Sequence, residues 1–128
     1  MPLARRLRSL ADTVLRWPLL VAWLALIFAL SSIPNEVQSP SSLPFDKVAH
    51  LVEYGALAFI AAWVFGRGHV TSRIAAIAVA FALLYGVSDE LHQAFVPGRD
   101  PSLDDLAADG VGALLGALVA WMLSRARD

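Results

Sequence analysis

At 128 residues, with 58% hydrophobic and only 16% charged side chains, the chain has room for one domain and more apolar surface than a soluble domain of that size can hide. The formal net charge of −1 gives no reason to expect a nucleic-acid partner. Cysteine is absent, which excludes disulfides, thiolate metal sites and cysteine nucleophiles.

Residues 1–16 read as a basic cytoplasmic segment. Leu3, Leu7, Leu10 and Val14 recur at helical spacing with arginines on the other face, the pattern of an amphipathic helix lying on anionic lipid. Residues 17–33 then run without a charge, and a spanning helix needs about 20 apolar residues. A signal peptide cleaved near Ala29-Leu30-Ser31 is the rival reading. The long basic region and an apolar stretch able to span favour a retained helix.

Pro34, Pro40 and Pro44 break the chain before a second span at 46–65, with Asp46 placed to cap it. Gly66-Arg67-Gly68 then forces a tight helical hairpin into a third span at 74–95. That span is purely apolar from Ile74 to Val87 and ends in Ser88-Asp89-Glu90-Leu91-His92-Gln93. Pro97-Gly98-Arg99-Asp100-Pro101 is the next break, and Ser102 with Asp105 three residues on reads as a capping box for a fourth span at 104–123. Residues 124–128 form a short tail. The expected fold is all-α: a bundle of four transmembrane helices with an N-terminal interfacial amphipathic helix, residues 17–123 forming the transmembrane domain.

Basic residues orient the bundle. Arg5, Arg6, Arg8, Arg16, Arg67, Arg73, Arg125 and Arg127 fall on one side, and only Lys47 and Arg99 on the other. Both termini and the short hairpin are therefore expected in the cytoplasm, and residues 34–45 and 97–103 outside.

The informative residues are those a membrane helix should not carry. Asp46, His50 and Tyr54, four apart, make one stripe on the second helix, with Glu53 beside it. Asp89 and Gln93 share a face of the third, with Ser88, Glu90 and His92 around them. Arg99, Asp104, Asp105 and Asp109 follow. All lie at the outer ends of helices two to four, and the inner ends are bare. An ionised group inside a span costs about 2.5–3.5 kcal/mol on insertion scales, so such groups face a partner or a cavity. Asp46, Asp104 and Asp105 also fit helix N-termini, where a carboxylate meets free amides. For Asp89, Glu90 and Gln93, half a turn inside the span, an outward-facing polar site is the better account. On the fourth helix, Ala108, Gly112, Gly116 and Ala120 make a small-residue stripe suited to close packing within the monomer.

Asp46-Lys47-x-x-His50-x-x-x-Tyr54, then Glu90-x-x-Gln93-x-Phe95-x-Pro97-Gly98-Arg99 and Asp105-x-x-x-Asp109-x-x-Gly112, resemble the VanZ-like family of bacterial membrane proteins, and Ser31-Ser32-x-Pro34 fits as well. The likeness runs over nearly the whole chain. The family often has asparagine where this chain has Asp109. The resemblance implies a bacterial cytoplasmic membrane location and a link to resistance against the glycopeptide teicoplanin.

Three functions compete. In the first, an outer pocket of Asp46, His50, Tyr54, Asp89, Glu90, Gln93, Arg99, Asp105 and Asp109 binds a polar lipid headgroup or lipid-linked cell-envelope component. There Arg99 would pair an anion while His50, Tyr54 and Gln93 give hydrogen bonds. In the second, a membrane-embedded enzyme uses His50 with Asp89 or Glu90 as general acid and base on a lipid substrate. A third is a small structural or assembly subunit. No cofactor is expected. The spacing matches no metal motif, and a divalent ion on His50, Asp89, Glu90 and a loop aspartate is only a variant of the enzyme reading.

Overall fold

In a computed structural model, the backbone is described for residues 3–34 and 43–127, and side chains for residues 14–34 and 45–127. Four helices follow one another: α1 (Leu3–Ser31), α2 (Leu43–Phe65), α3 (Ser72–Gln93) and α4 (Leu103–Arg125). Each contains a stretch long and apolar enough to cross a membrane. Among the described residues there is no strand; turns and short irregular segments join the helices.

Two boundaries differ from the sequence reading. The amphipathic segment and the first span are one continuous helix, α1, which passes through Pro18 at the loss of one backbone bond. Side chains before Val14 lie outside the described set, so the interfacial face of residues 1–16 does too. The second helix starts at Leu43, three residues before the expected cap, so Asp46 sits in its first turn. There it still favours the positive end of the helix dipole without being the N-cap.

Turn chemistry works as the sequence implies. α1 stops where the Ser32 amide closes onto Phe28 and Ala29, and the Ser32 hydroxyl donates to the Phe28 carbonyl at 2.6 Å. Pro34 follows. After α2, Arg67 and Gly68 take positive φ of 51° and 90°, and the Gly68 amide reaches back to the Trp63 carbonyl. That reversal needs a glycine, because a Cβ is strained there. Thr71 caps α3 through its hydroxyl, and the Val70 amide donates to Ser124 Oγ at 2.8 Å, fastening the hairpin to the end of α4. Ser102 caps α4 by accepting the Asp105 amide at 3.3 Å, one half of the expected capping box; the other half is replaced, because the Ser102 amide donates to Glu90.

The packing is that of a protein whose solvent is lipid. The interior is lined with alanine (Ala58, Ala61, Ala62, Ala78, Ala82, Ala113, Ala117 and Ala120), while leucines such as Leu84, Leu114 and Leu118 point outward. In a bilayer large apolar groups gain nothing by turning inward, and small ones let helices approach. The closest approach is α2 on α4. A Cβ on Gly112 would strike the Leu51 carbonyl and one on Gly116 the Gly55 carbonyl, so backbone lies directly on backbone. The small-residue stripe therefore packs within the monomer. α1 is the most loosely attached helix, resting on α2 with a lighter contact to α3. Its ties include Trp23 Nε1 donating to the Glu53 carbonyl at 2.9 Å and the Tyr85 hydroxyl donating to the Leu24 carbonyl at 2.7 Å.

Candidate functional site

The end of α1, the start of α2, the end of α3 and the start of α4 meet at one end of the bundle, here called the polar end. Because α4 lies against α2 through glycines, residues one turn before Gly112 reach those near Leu51. His50 Nδ1 meets Asp109 Oδ1 at 2.8 Å, with both side chains buried. At the surface of the same helix pair, Lys47 Nζ donates to Asp105 Oδ1. α3 joins through Glu90, whose Oε2 accepts the Ser102 amide at 2.7 Å and so holds the loop that opens α4. One turn on, Gln93 Nε2 donates to Asp89 Oδ2 at 3.4 Å, a long bond within α3.

This network is incompletely satisfied. Among the described residues, Tyr54 Oη, Glu90 Oε1, Asp109 Oδ2 and Ser31 Oγ are buried without a hydrogen-bond partner. A few percent of buried polar groups lack partners in ordinary folds, and each asks for an explanation. Four within one end of a small bundle are concentrated, and two belong to carboxylates.

Beside the network lies a cavity of about 380 Å³. Its polar wall is Ser31, Asp46, His50, Glu53, Asp89, Gln93 and Arg99, and Leu30, Ile33, Phe45 and Ala49 complete it. Arg99 is held there by its Nε donating to the Ile33 carbonyl at 3.0 Å, which ties the loop before α4 to the end of α1. The cavity is therefore framed by α1, α2, α3 and that loop, where the sequence placed the site among helices two, three and four.

Of the nine residues expected in one pocket, five line it: Asp46, His50, Asp89, Gln93 and Arg99. Tyr54, Glu90, Asp105 and Asp109 are outside that lining; all four are buried. His50 belongs to both groups. Its partner is Asp109 rather than the expected Asp89 or Glu90, because the glycine contact brings α4 to it. Three participants were noted in the sequence but left out of the expected pocket. Glu53 follows His50 by one helical turn and lines the cavity. Ser31 lies in the Ser31-Ser32-x-Pro34 segment. Lys47 binds Asp105, which its place beside Asp46 did not reveal. His92, by contrast, turns to α1, where its Nε2 meets Ser32 Oγ at 2.9 Å and its ring stacks on Phe28.

The donor atoms also make two sets with the proximity metal ions require. His50, Glu90 and Asp109 offer one atom each within 4.8 Å of one another, as do Asp46, His50 and Asp105. Asp89, expected as a ligand in the metal variant, is in neither set.

The whole arrangement pairs a water-sized-to-headgroup-sized cavity with an imidazole oriented by a carboxylate. Such a pair can hold a ligand by hydrogen bonds or move a proton. The chain matches no curated protein and no solved structure. The VanZ/LLP1 family matches residues 12–124, which takes in every residue of the cavity and the buried network. With four apolar helices and a match over nearly its full length, the chain belongs to the VanZ/LLP1 family.

Proposed function

We propose that this protein sits in the bacterial cytoplasmic membrane with both termini in the cytoplasm, and that its polar end binds the headgroup of a lipid or lipid-linked cell-envelope component from the outer side. The observation that carries this is the cavity itself: about 380 Å³, lined by charged and amide groups together with the apolar Leu30, Ile33 and Phe45. A lipid needs both kinds of lining, polar groups for its headgroup and apolar ones for the start of its chains. Arg99 suits a phosphate, and His50 and Gln93 supply hydrogen bonds. Asp46, Glu53 and Asp89 outnumber the single arginine, which favours a headgroup that carries an ammonium as well. In the setting of glycopeptide resistance, such binding would shield or alter an envelope component.

The test is lipid retention. Protein purified in mild detergent is offered phosphatidylethanolamine or phosphatidylglycerol and examined by native mass spectrometry. Retention of phosphatidylethanolamine by the wild type, and its loss in Arg99→Ala and Glu53→Gln, is expected. Equal retention by all three proteins would retire the reading.

A second reading, a membrane-embedded enzyme, is favoured by the His50–Asp109 pair, in which a buried carboxylate orients an imidazole on the cavity wall. Ser88 is no nucleophile for it, since it is exposed and donates to the Tyr85 carbonyl at 2.7 Å. Water would be the attacking group. Release of a headgroup from labelled lipid, abolished in His50→Ala, would support this reading over simple binding.

A further inference from the structure

Next to the cavity wall, three helices each deliver one buried ligating side chain to the same place. His50 comes from α2, Glu90 from α3 and Asp109 from α4, with exposures of 5%, 7% and 0%. Their donor atoms lie within 4.8 Å of one another. Two of the three are carboxylates, and the described basic side chains nearby are engaged elsewhere: Lys47 with Asp105, Arg99 with the Ile33 carbonyl. Glu90 gives one oxygen to the Ser102 amide and keeps Oε1 without a partner, and Asp109 gives one oxygen to His50 and keeps Oδ2 without a partner.

Buried carboxylates persist in proteins when they are paired, hydrogen-bonded or coordinated to a metal. Asp109 has His50 as its one basic neighbour, Glu90 has no basic partner among the described residues, and hydrogen bonding is half complete. A proton on one carboxyl would supply a single donor and leave the second orphaned oxygen as it is. A divalent cation would offset both charges and engage all three side chains together. The geometry points to a divalent transition-metal site formed by His50, Glu90 and Asp109, beside the cavity that His50 also lines.

The donor set selects the class of ion. Mg²⁺ and Ca²⁺ take oxygen ligands, whereas an imidazole with two carboxylates suits Zn²⁺ or Mn²⁺. Around a tetrahedral ion with bonds near 2.0–2.1 Å two donors stand roughly 3.3 Å apart, so the 2.8 Å His50–Asp109 contact would open by about half an ångström. Three protein ligands leave one position free, the pattern of sites that act on a bound molecule. The two donor sets are adjacent. The second set, Asp46, His50 and Asp105, shares His50, and both Asp46 and His50 line the cavity.

The site does not depend on the headgroup reading, and the experiment separates the two. Chelator-treated full-length protein in detergent is titrated calorimetrically with Zn²⁺, Mn²⁺ and Mg²⁺, and its thermal midpoint is followed with each. One Zn²⁺ or Mn²⁺ per chain and a raised midpoint are expected, with Mg²⁺ at least tenfold weaker. Glu90→Gln keeps the acceptor for Ser102, and Asp109→Asn keeps one for His50. Each should fold and bind the ion at least roughly tenfold more weakly, a loss seen even for outer-shell partners. Asp104→Asn, on the exposed start of α4, should bind as the wild type does. Absence of binding, equal binding of Mg²⁺, or undiminished binding by folded Glu90→Gln and Asp109→Asn would each overturn the site. Arg99→Ala should keep the ion. If the wild type takes up the ion yet retains no lipid, the headgroup reading alone fails.

Discussion

Replacing Gly112 by alanine tests whether the α2–α4 contact sets the structure of the polar end. A Cβ there would land on the Leu51 carbonyl, with the Leu51 carbonyl carbon and Cα at 2.9 and 3.0 Å. All three are backbone atoms of a helix, so no side chain can swing aside, and α2 must move as a body. Overpacking of this kind costs about 1–3 kcal/mol, and a rigid backbone neighbour puts it at the upper end. Alanine recovers up to about 1 kcal/mol of helix propensity, leaving a net loss of roughly 1–2 kcal/mol. Gly110→Ala is the matched control on the same helix. Its Cβ would meet only Leu83 Cδ2 at 3.3 Å, the far end of a flexible side chain. Gly110→Ala should therefore be neutral or mildly stabilising. Thermal unfolding in one detergent, with helix content followed by circular dichroism, compares the two. Equal midpoints would refute the claim that backbone contact at Gly112 fixes the helix spacing.

The proposed orientation predicts that a cysteine at Asp100 reacts with a membrane-impermeant thiol reagent on intact cells, and one at Ser72 only after permeabilisation; the opposite pattern would invert the bundle. Both positions are exposed, so accessibility within the protein does not confuse the result. Tyr85→Phe removes the hydroxyl that donates to the Leu24 carbonyl and should cost about 1 kcal/mol, read as a lowered unfolding midpoint. No change would mean that α1 is held by its apolar contacts alone.

The four helices were legible because hydropathy and breakers agree. Charge-free or nearly charge-free runs of spanning length are separated by proline and glycine segments, and nothing but helix satisfies its backbone inside a bilayer. The starting residue of α2 was not legible, since Leu43 and Pro44 precede the strongest apolar run and proline is tolerated in a first helical turn. Within the site, spacing showed which residues share a helix face. Asp46, His50 and Tyr54 were found in that way, as were Asp89 and Gln93. Spacing does not tell which face of one helix meets which face of another. That depends on helix rotation, and here Gly112 and Gly116 set it by seating α4 on Leu51 and Gly55. The stripe was visible in the sequence, but its partner helix was not. His50 was accordingly assigned to the acids of α3, while the structure gives it Asp109 of α4. The contribution of α1 to the cavity was hidden for a related reason. Ser31, Leu30 and Ile33 carry little polarity, and it takes the bond from Arg99 to the Ile33 carbonyl to bring them there.

The two ends of the bundle use polar groups differently. At the arginine end a short hairpin joins α2 to α3, the Val70 amide binds Ser124, and Arg125 and Arg127 lie over Trp121 and Trp63 at 5.2 and 4.9 Å. Aromatic contacts between Trp17 and Phe65 and between Phe65 and Phe81 continue the same closure. Contacts of these kinds tolerate a wet, charged boundary and add packing without burying unpaired charge. The polar end departs from that economy, since it buries carboxylates and leaves oxygens unpartnered beside a cavity. A bundle that can close one end so completely has no structural need for ionisable groups at the other. Desolvating Glu90 and Asp109 opposes folding, and the alanine and glycine seams that hold α2, α3 and α4 together must offset it. Features that weaken a fold call for a compensating role, and the proposed one centres on His50, the one residue common to the cavity wall and both candidate ligand sets.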